Sequence, residues 1–120
     1  MTENSNLASN GEVQLLDGDT QSMEEMVSNA RAASDFLKAI AHEHRLLILC
    51  ILAEGEKSVR ELELKLNMRQ PSVSQQLARL RAERLVATRR EGKTIYYSLA
   101  SEHARELISV LYRMFCGPKP

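Results

Sequence analysis

Tryptophan is absent from this chain of 120 residues, and only three tyrosines and two phenylalanines are present. A core built from it has to be aliphatic. No apolar run approaches the ~18 residues of a membrane-crossing helix, so no membrane partner is expected. The N-terminus is acidic and has no basic n-region, which excludes the pattern of a secretory signal, and the expected location is the cytoplasm. The chain has two cysteines, Cys50 and Cys116, and a structural disulfide between them is not expected in a reducing compartment. No phosphate loop, nucleophilic triad or paired catalytic motif is present. No enzyme activity, catalytic residue or cofactor is therefore expected.

What is there suits one small globular domain, since 43% of the residues are hydrophobic and the length leaves room for a single core. The formal net charge of zero hides an asymmetry. Residues 1–25 carry six acids (Glu3, Glu12, Asp17, Asp19, Glu24 and Glu25) and no lysine or arginine, so the remainder holds 16 basic against 10 acidic residues, a net of +6. Residues 1–21 lack apolar periodicity and are expected to form a disordered acidic tail, followed by one domain over residues 22–117. Between Ser58 and Leu99, nine basic residues face four acids. Charge of that sign concentrated in one stretch is what phosphate contact requires.

That stretch is also the most structured part of the sequence. Ser58-Val59-Arg60-Glu61 has the form of a capping box, in which the serine and glutamate bond each other's backbone amides. The helix it opens carries Val59, Leu62 and Leu66 on one face and runs into the short turn Asn67-Met68-Arg69. Pro71 then sits where the first turn of a helix tolerates it. From there Val73, Leu77 and Leu80 recur at helical spacing. Gln70, Ser72, Ser74, Gln75, Gln76 and Arg79 fall outside that apolar face. Glutamine can pair with adenine, serine with base or phosphate, and arginine with guanine or phosphate. Next come the strand Leu85 to Arg90 and the alternating run Thr94 to Leu99, joined by Glu91-Gly92-Lys93. They predict a hairpin with a basic tip, with Arg89, Arg90 and Lys93 as its candidate phosphate contacts. Short helix, turn, polar helix and basic hairpin together predict a winged helix-turn-helix on double-stranded DNA.

The flanking segments predict helices. Ser22-Met23-Glu24-Glu25 is a second capping box, opening a helix to about Ile40. Its Met23, Met26, Ala30, Ala33, Leu37 and Ile40 follow a heptad spacing, read here as a homodimer interface. His42-Glu43-His44-Arg45 leads into Leu46 to Leu52, apolar all round and so expected to be buried. Ser101 caps a last helix, Glu102 to Cys116, stopped by Gly117-Pro118. Ala104, Leu107, Ile108, Leu111, Met114 and Phe115 form its apolar stripe, the natural partner of the first helix across a two-fold axis. The fold class is mainly α with a small β-hairpin, in the order α-α-α-α-β-β-α. Cys50 lies in the second helix and Cys116 closes the last. Each thiol can be a small buried hydrophobe, or the two can form a redox pair if their helices are adjacent. No set of four metal ligands stands out.

The run from Arg31 to Cys116 resembles the ArsR/SmtB family of repressors, through AIAHEHRLLIL, SVRELELKLNMRQPSVSQQLARLRAERLVATRREGKTIYYSL and the terminal helix. The family's usual proline after the first histidine is Glu43 here. Its Cys-x-Cys metal site is replaced by Glu61 to Glu63, and its Asp/His site in the last helix is incomplete. LCILAEGEKSVRELE, QPSVSQQL and LYRMFC are similar to the persulfide-responsive branch, of BigR/SqrR type. That resemblance implies that Cys50 and Cys116 are a redox-sensing dithiol. It implies reactive sulfur species as inducer, and sulfide-responsive genes as targets. A metal- or metalloid-responsive repressor of the same fold is the alternative, and a protein-interaction module on a winged-helix scaffold is the rival from another class.

Overall fold

A computed structural model describes residues 22–117, so the expected tail, residues 1–21, lies outside the described residues. The chain divides into two units, one ending at Asp35 and one beginning at Phe36. The elements in order are α1 (Met23–Ile40), α2 (Glu43–Leu52), β1 (Lys57–Ser58), α3 (Val59–Leu66), α4 (Gln70–Ala82), β2 (Val86–Glu91), β3 (Thr94–Leu99) and α5 (Glu102–Phe115). No helix among the described residues is long and apolar enough to cross a membrane.

In the first unit, α1 starts at the expected reciprocal cap. The Ser22 amide donates to Glu25 Oε1 at 2.9 Å, and Ser22 Oγ accepts from the Glu25 amide at 3.1 Å. Beyond it Met23 is 70% exposed and Val27 49%, while Met26 is half-buried.

In the second unit the last turn of α1 joins the core. Ile40, placed by heptad spacing on an intersubunit stripe, is only 4% exposed and packs inward with Ala39. His42 is the N-cap of α2, its Nδ1 accepting from the His44 amide at 3.1 Å. Burial of α2 is one-sided, contrary to the reading of an all-round buried helix. Ile48, Leu49 and Leu52 are in the core, whereas Leu47 is 42% exposed, because no other element among the described residues covers the second side.

The capping box predicted for α3 is present, with Ser58 and Glu61 bonding each other's amides at 2.8 and 3.1 Å. Asn67, at φ +55°, ends α3 in the left-handed conformation that asparagine tolerates. Three residues later α4 begins, with Pro71 in its first turn. Val73, Leu77 and Leu80 are fully buried, and aliphatic burial of this kind is worth about 1.5–3 kcal/mol per side chain. The inner face of α4 is thereby fixed, and with it the outer one.

The sheet departs from the expected order. It has three antiparallel strands, β1-β3-β2, because Lys57 and Ser58 pair with Tyr97 and Tyr96 just before Ser58 caps α3. The element order is therefore α-α-β-α-α-β-β-α. β2 and β3 pair from Val86–Leu99 to Glu91–Thr94, which leaves the two-residue turn Gly92-Lys93. Gly92 has φ +64°, and Lys93 is not in the left-handed region, the pattern of a type II′ hairpin. Ahead of β2, α4 closes in a Schellman motif. The Leu85 amide donates to Leu80 O at 3.0 Å and the Arg84 amide to Arg81 O at 2.9 Å. Arg84 holds φ +61° where glycine is usual.

Candidate nucleic-acid interface and thiol pair

With Val73, Leu77 and Leu80 turned inward, Gln70, Ser72, Gln75 and Arg79 stand exposed, and Ser74 and Gln76 are half-buried. These six are not equally free. Gln70 Nε2 donates to Ser74 Oγ at 2.6 Å, a polar pair at the start of α4. Arg79 lies 3.9 Å from Glu83. Gln76 Oε1 accepts from Arg45 Nη1 at 3.0 Å. Arg45 also donates to Ala39 O at 2.6 Å and Lys38 O at 3.2 Å. One side chain of α2 therefore holds the last turn of α1 and the middle of α4. Burial, and then repulsion from Arg79, lower the pKa of its guanidinium. The sequence places Arg45 only in the lead-in to α2, since no local pattern pairs it with a residue 31 positions away.

On the hairpin, Arg90 and Lys93 are exposed, and among the described residues neither has an ion-pair partner. Arg89 is different. It donates to Glu56 through two nitrogens and to Glu91 through a third, and lies over the Tyr96 ring. The Arg89 guanidinium holds the Glu56 carboxyl below its usual range, against a smaller opposing effect of desolvation. The two carboxylates in turn raise the pKa of Arg89. Glu56 escapes a reading of the sequence for the same reason as Arg45's partner: it lies 33 positions from the residue it bonds, and no local pattern links them.

Cys50 sits half-buried on α2 and Cys116 is exposed at the end of α5, both as free thiols. The pKa of Cys50 is raised, first by burial, then by the charge of Cys116, then by that of Glu54. The helices that carry the two thiols, α2 and α5, pack against each other. An open groove of about 600 Å³ runs between α2 and α5 beside Cys50, with Glu54, Arg105, Tyr112 and Arg113 on its walls. No group of three or more His, Cys, Asp or Glu that could hold a metal occurs among the described residues.

The stripe on α5 splits in two. Ala104 and Ile108 are buried, and Leu107 and Leu111 half-buried, whereas Met114 is 67% and Phe115 79% exposed. Val110 and Tyr112 are exposed with them.

Comparison with known proteins agrees with this geometry. Residues 42–88 match the bacterial regulatory protein family arsR. The chain is 50% identical over 94 residues to the biofilm growth-associated repressor of Agrobacterium fabrum (strain C58), a match covering 78% of this chain and 80% of that protein. Its structure is similar to that of reduced HlyU from Vibrio cholerae N16961, with TM-score 0.75 and 44% identity over 78% of this chain and 98% of the other. It is also similar to the transcriptional repressor BigR from Xylella fastidiosa, with TM-score 0.73 and 41% identity over 82% and 100%.

Proposed function

The chain belongs to the arsR family of bacterial regulatory proteins, and from that premise we propose that it is a homodimeric repressor in the cytoplasm. It holds operator DNA while its thiols are reduced and lets go when reactive sulfur species join Cys50 to Cys116. The observation that carries this reading is the placement of the thiols. Cys50 on α2 and Cys116 at the end of α5 are borne by helices that pack against each other, and the helix that bears Cys50 is tied to α4 by Arg45 and Gln76. The solved Vibrio cholerae relative is described as reduced, and the Agrobacterium and Xylella relatives as repressors. Those words belong to those proteins and support the same assignment here.

On DNA, two copies of α4 enter successive major grooves, half-sites about one helical turn apart. Ser72 and Gln75 are exposed, with no side-chain partner among the described residues, and offer their polar ends to base edges. The Gln70–Ser74 pair borders them, and Arg79, Arg90 and Lys93 supply charge for phosphates. The exposed apolar residues of α5 (Val110, Tyr112, Met114 and Phe115) are a surface on which the copies join, since exposed apolar side chains on one short element mark interaction sites, and Met23 and Val27 on α1 are, by themselves, a second.

The switch is sulfur transfer. The exposed Cys116 thiolate attacks the terminal sulfur of a persulfide RS–SH, the donor's S–S bond breaks and RS⁻ leaves as RSH. A second donor does the same at Cys50. The Cys116 persulfide anion then attacks the inner sulfur of Cys50–S–SH and expels HS⁻. Two thiols and two persulfides thus give one Cys50–S–S–S–Cys116 bridge, two RSH and one H₂S. A direct disulfide needs Cα atoms within about 7 Å. A trisulfide spans a wider gap, so thiol spacing can favour sulfur donors over peroxide. The bridge ties α2 to α5 and shifts α4 through Arg45, a coupling of the usual ~1–3 kcal/mol.

The test is intact mass and DNA affinity after separate treatment with a persulfide donor, a disulfide and peroxide. The expected result is one intramolecular cross-link with added sulfur, lower affinity, and recovery on reduction. Cys50→Ser and Cys116→Ser should stay bound throughout. Release of DNA by persulfide from the double Cys→Ser variant would place the switch elsewhere.

A further inference from the structure

Arg89 and Arg90 are neighbours on β2, and a strand sends neighbouring side chains to opposite faces. Only one of the two can stand on the face that meets a DNA backbone, and Arg89 is already engaged. Its Nε and Nη2 donate to Glu56 Oε2 and Oε1, both at 2.8 Å, and its Nη1 donates to Glu91 Oε1 at 2.9 Å. The planar fork of the guanidinium matches the Glu56 carboxylate with two parallel bonds. Two carboxylates around one guanidinium leave the group with formal charge −1, which repels phosphate.

The path of this side chain follows the sheet order. β2 and β1 are the edge strands and β3 lies between them. Arg89 leaves β2, lies 4.7 Å from the ring centroid of Tyr96 on β3, and ends on Glu56, the residue directly before β1. β1 pairs with β3 only at Tyr96 and Tyr97. Residues 90–95 beyond that point pair only with one another. Arg89–Tyr96 is the pair at the root of this projecting part, and the bond to Glu56 fastens the root to the connection between α2 and α3.

We infer that Arg89 and Glu56 form a cross-sheet clamp that sets the angle of the hairpin, and that the hairpin's phosphate contacts fall to Arg90 and Lys93. Arg89 is on this view a positioning residue. The inference rests on the DNA-binding part of the proposed function and is independent of the thiol switch.

The two roles of Arg89 predict opposite signs for Glu56→Gln. If Arg89 contacts phosphate, that substitution frees the guanidinium, removes a negative charge near DNA and tightens binding. If Arg89 is a clamp, it loosens the hairpin and weakens binding although net charge rises. The probe is the duplex that the wild-type protein selects from a random-sequence pool, titrated over a range of salt. Arg89→Gln, Glu56→Gln and the double variant should each bind several-fold more weakly, the double no weaker than the worse single. The slope of log affinity against log salt should stay as in the wild type, whereas Lys93→Ala lowers it by about 0.9 for each phosphate that the lysine neutralises. Amide exchange at Gly92, Lys93 and Thr94 should rise in both single variants while Tm is held. Unchanged or tighter binding by Glu56→Gln, or a lower salt slope in Arg89→Gln, overturns the clamp. A wild type whose DNA affinity does not depend on salt overturns the DNA reading itself, and the clamp with it.

Discussion

Arg45 on α2 and Gln76 on α4 share a hydrogen bond of 3.0 Å, and the acceptor in it is Gln76 Oε1. Pairing of a glutamine with adenine uses both ends of the amide, the oxygen as acceptor and the nitrogen as donor. The oxygen of Gln76 is engaged, whereas Gln75, one position earlier, is exposed and has no hydrogen-bond partner among the described residues. The two glutamines therefore should behave differently. Gln75→Ala should cost ~1–3 kcal/mol on the preferred duplex and relax base preference at one position of each half-site. Gln76→Ala should leave Arg45 short of a partner and lower stability by about 1–3 kcal/mol. It should weaken binding evenly across sequences. Binding to a panel of singly substituted duplexes, with a thermal melt for each variant, separates the two. Loss of base preference in Gln76→Ala would make it a reader.

The surface proposed for dimerisation can be tested without disturbing the core. Phe115 is 79% exposed in the single chain, so a charge there meets only water unless a second copy covers it. Phe115→Glu should keep the melting behaviour of the isolated fold. Placed in an apolar seam, however, the carboxylate would be buried without a partner, which is costly. Sedimentation at micromolar concentration should shift from dimer to monomer, and DNA affinity should fall because the half-sites are no longer linked. An unchanged dimer would move the interface away from the end of α5.

Arg84 gives a prediction on stability. Its φ of +61° ends α4 in a Schellman motif, and a side chain there costs roughly 1–2 kcal/mol that glycine does not. Glycine returns part of this as extra freedom of the unfolded chain, about 0.4–1 kcal/mol. Arg84→Gly should stabilise the fold by about 0.5–1 kcal/mol and raise Tm by a few degrees. A fall in Tm would mean that the Arg84 side chain makes a stabilising contact that outweighs the strain.

Local signals make much of this fold readable in the sequence. Two capping boxes, Pro71 in a first turn, and Val73, Leu77 and Leu80 at helical spacing fix α1, α3 and α4 within short windows. The hairpin follows from the alternation of Thr94 to Leu99 and the tight turn at Gly92. Features that depend on distant residues are not readable. β1 has two residues, too few for a period, and overlaps the cap of α3. Arg45 meets Gln76 and Arg89 meets Glu56 only after folding, and nothing local marks either pair. The Schellman turn at Arg84 lacks the glycine that would announce it. The thiol positions are readable as helix positions. That Cys50 is half-buried and Cys116 exposed follows from how α5 packs on α2.

The thiol pair has its own pH signature. The pKa of Cys50 lies above the ordinary thiol value of 9.0 because burial disfavours the thiolate, and the charges of Cys116 and Glu54 disfavour it further. Only the thiolate is nucleophilic, so Cys50 should be alkylated slowly at neutral pH. Its rate should climb through an inflection above the ordinary value of 9.0. Removing Cys116 removes one of the two nearby negative charges and leaves burial and Glu54 in place. In Cys116→Ser the inflection for Cys50 should therefore move down, toward the ordinary value without reaching it. In Glu54→Gln it should move down by less, since Glu54 is the smaller of the two charge effects. The measurement is the rate of iodoacetamide labelling at Cys50 against pH, read by peptide mass. It needs no DNA and no sulfur donor, so it tests the thiol geometry apart from the switch. An inflection in Cys116→Ser identical to that of the wild type would mean that the two sulfurs do not sense each other. The proposed bridge between α2 and α5 would then lose its geometric basis.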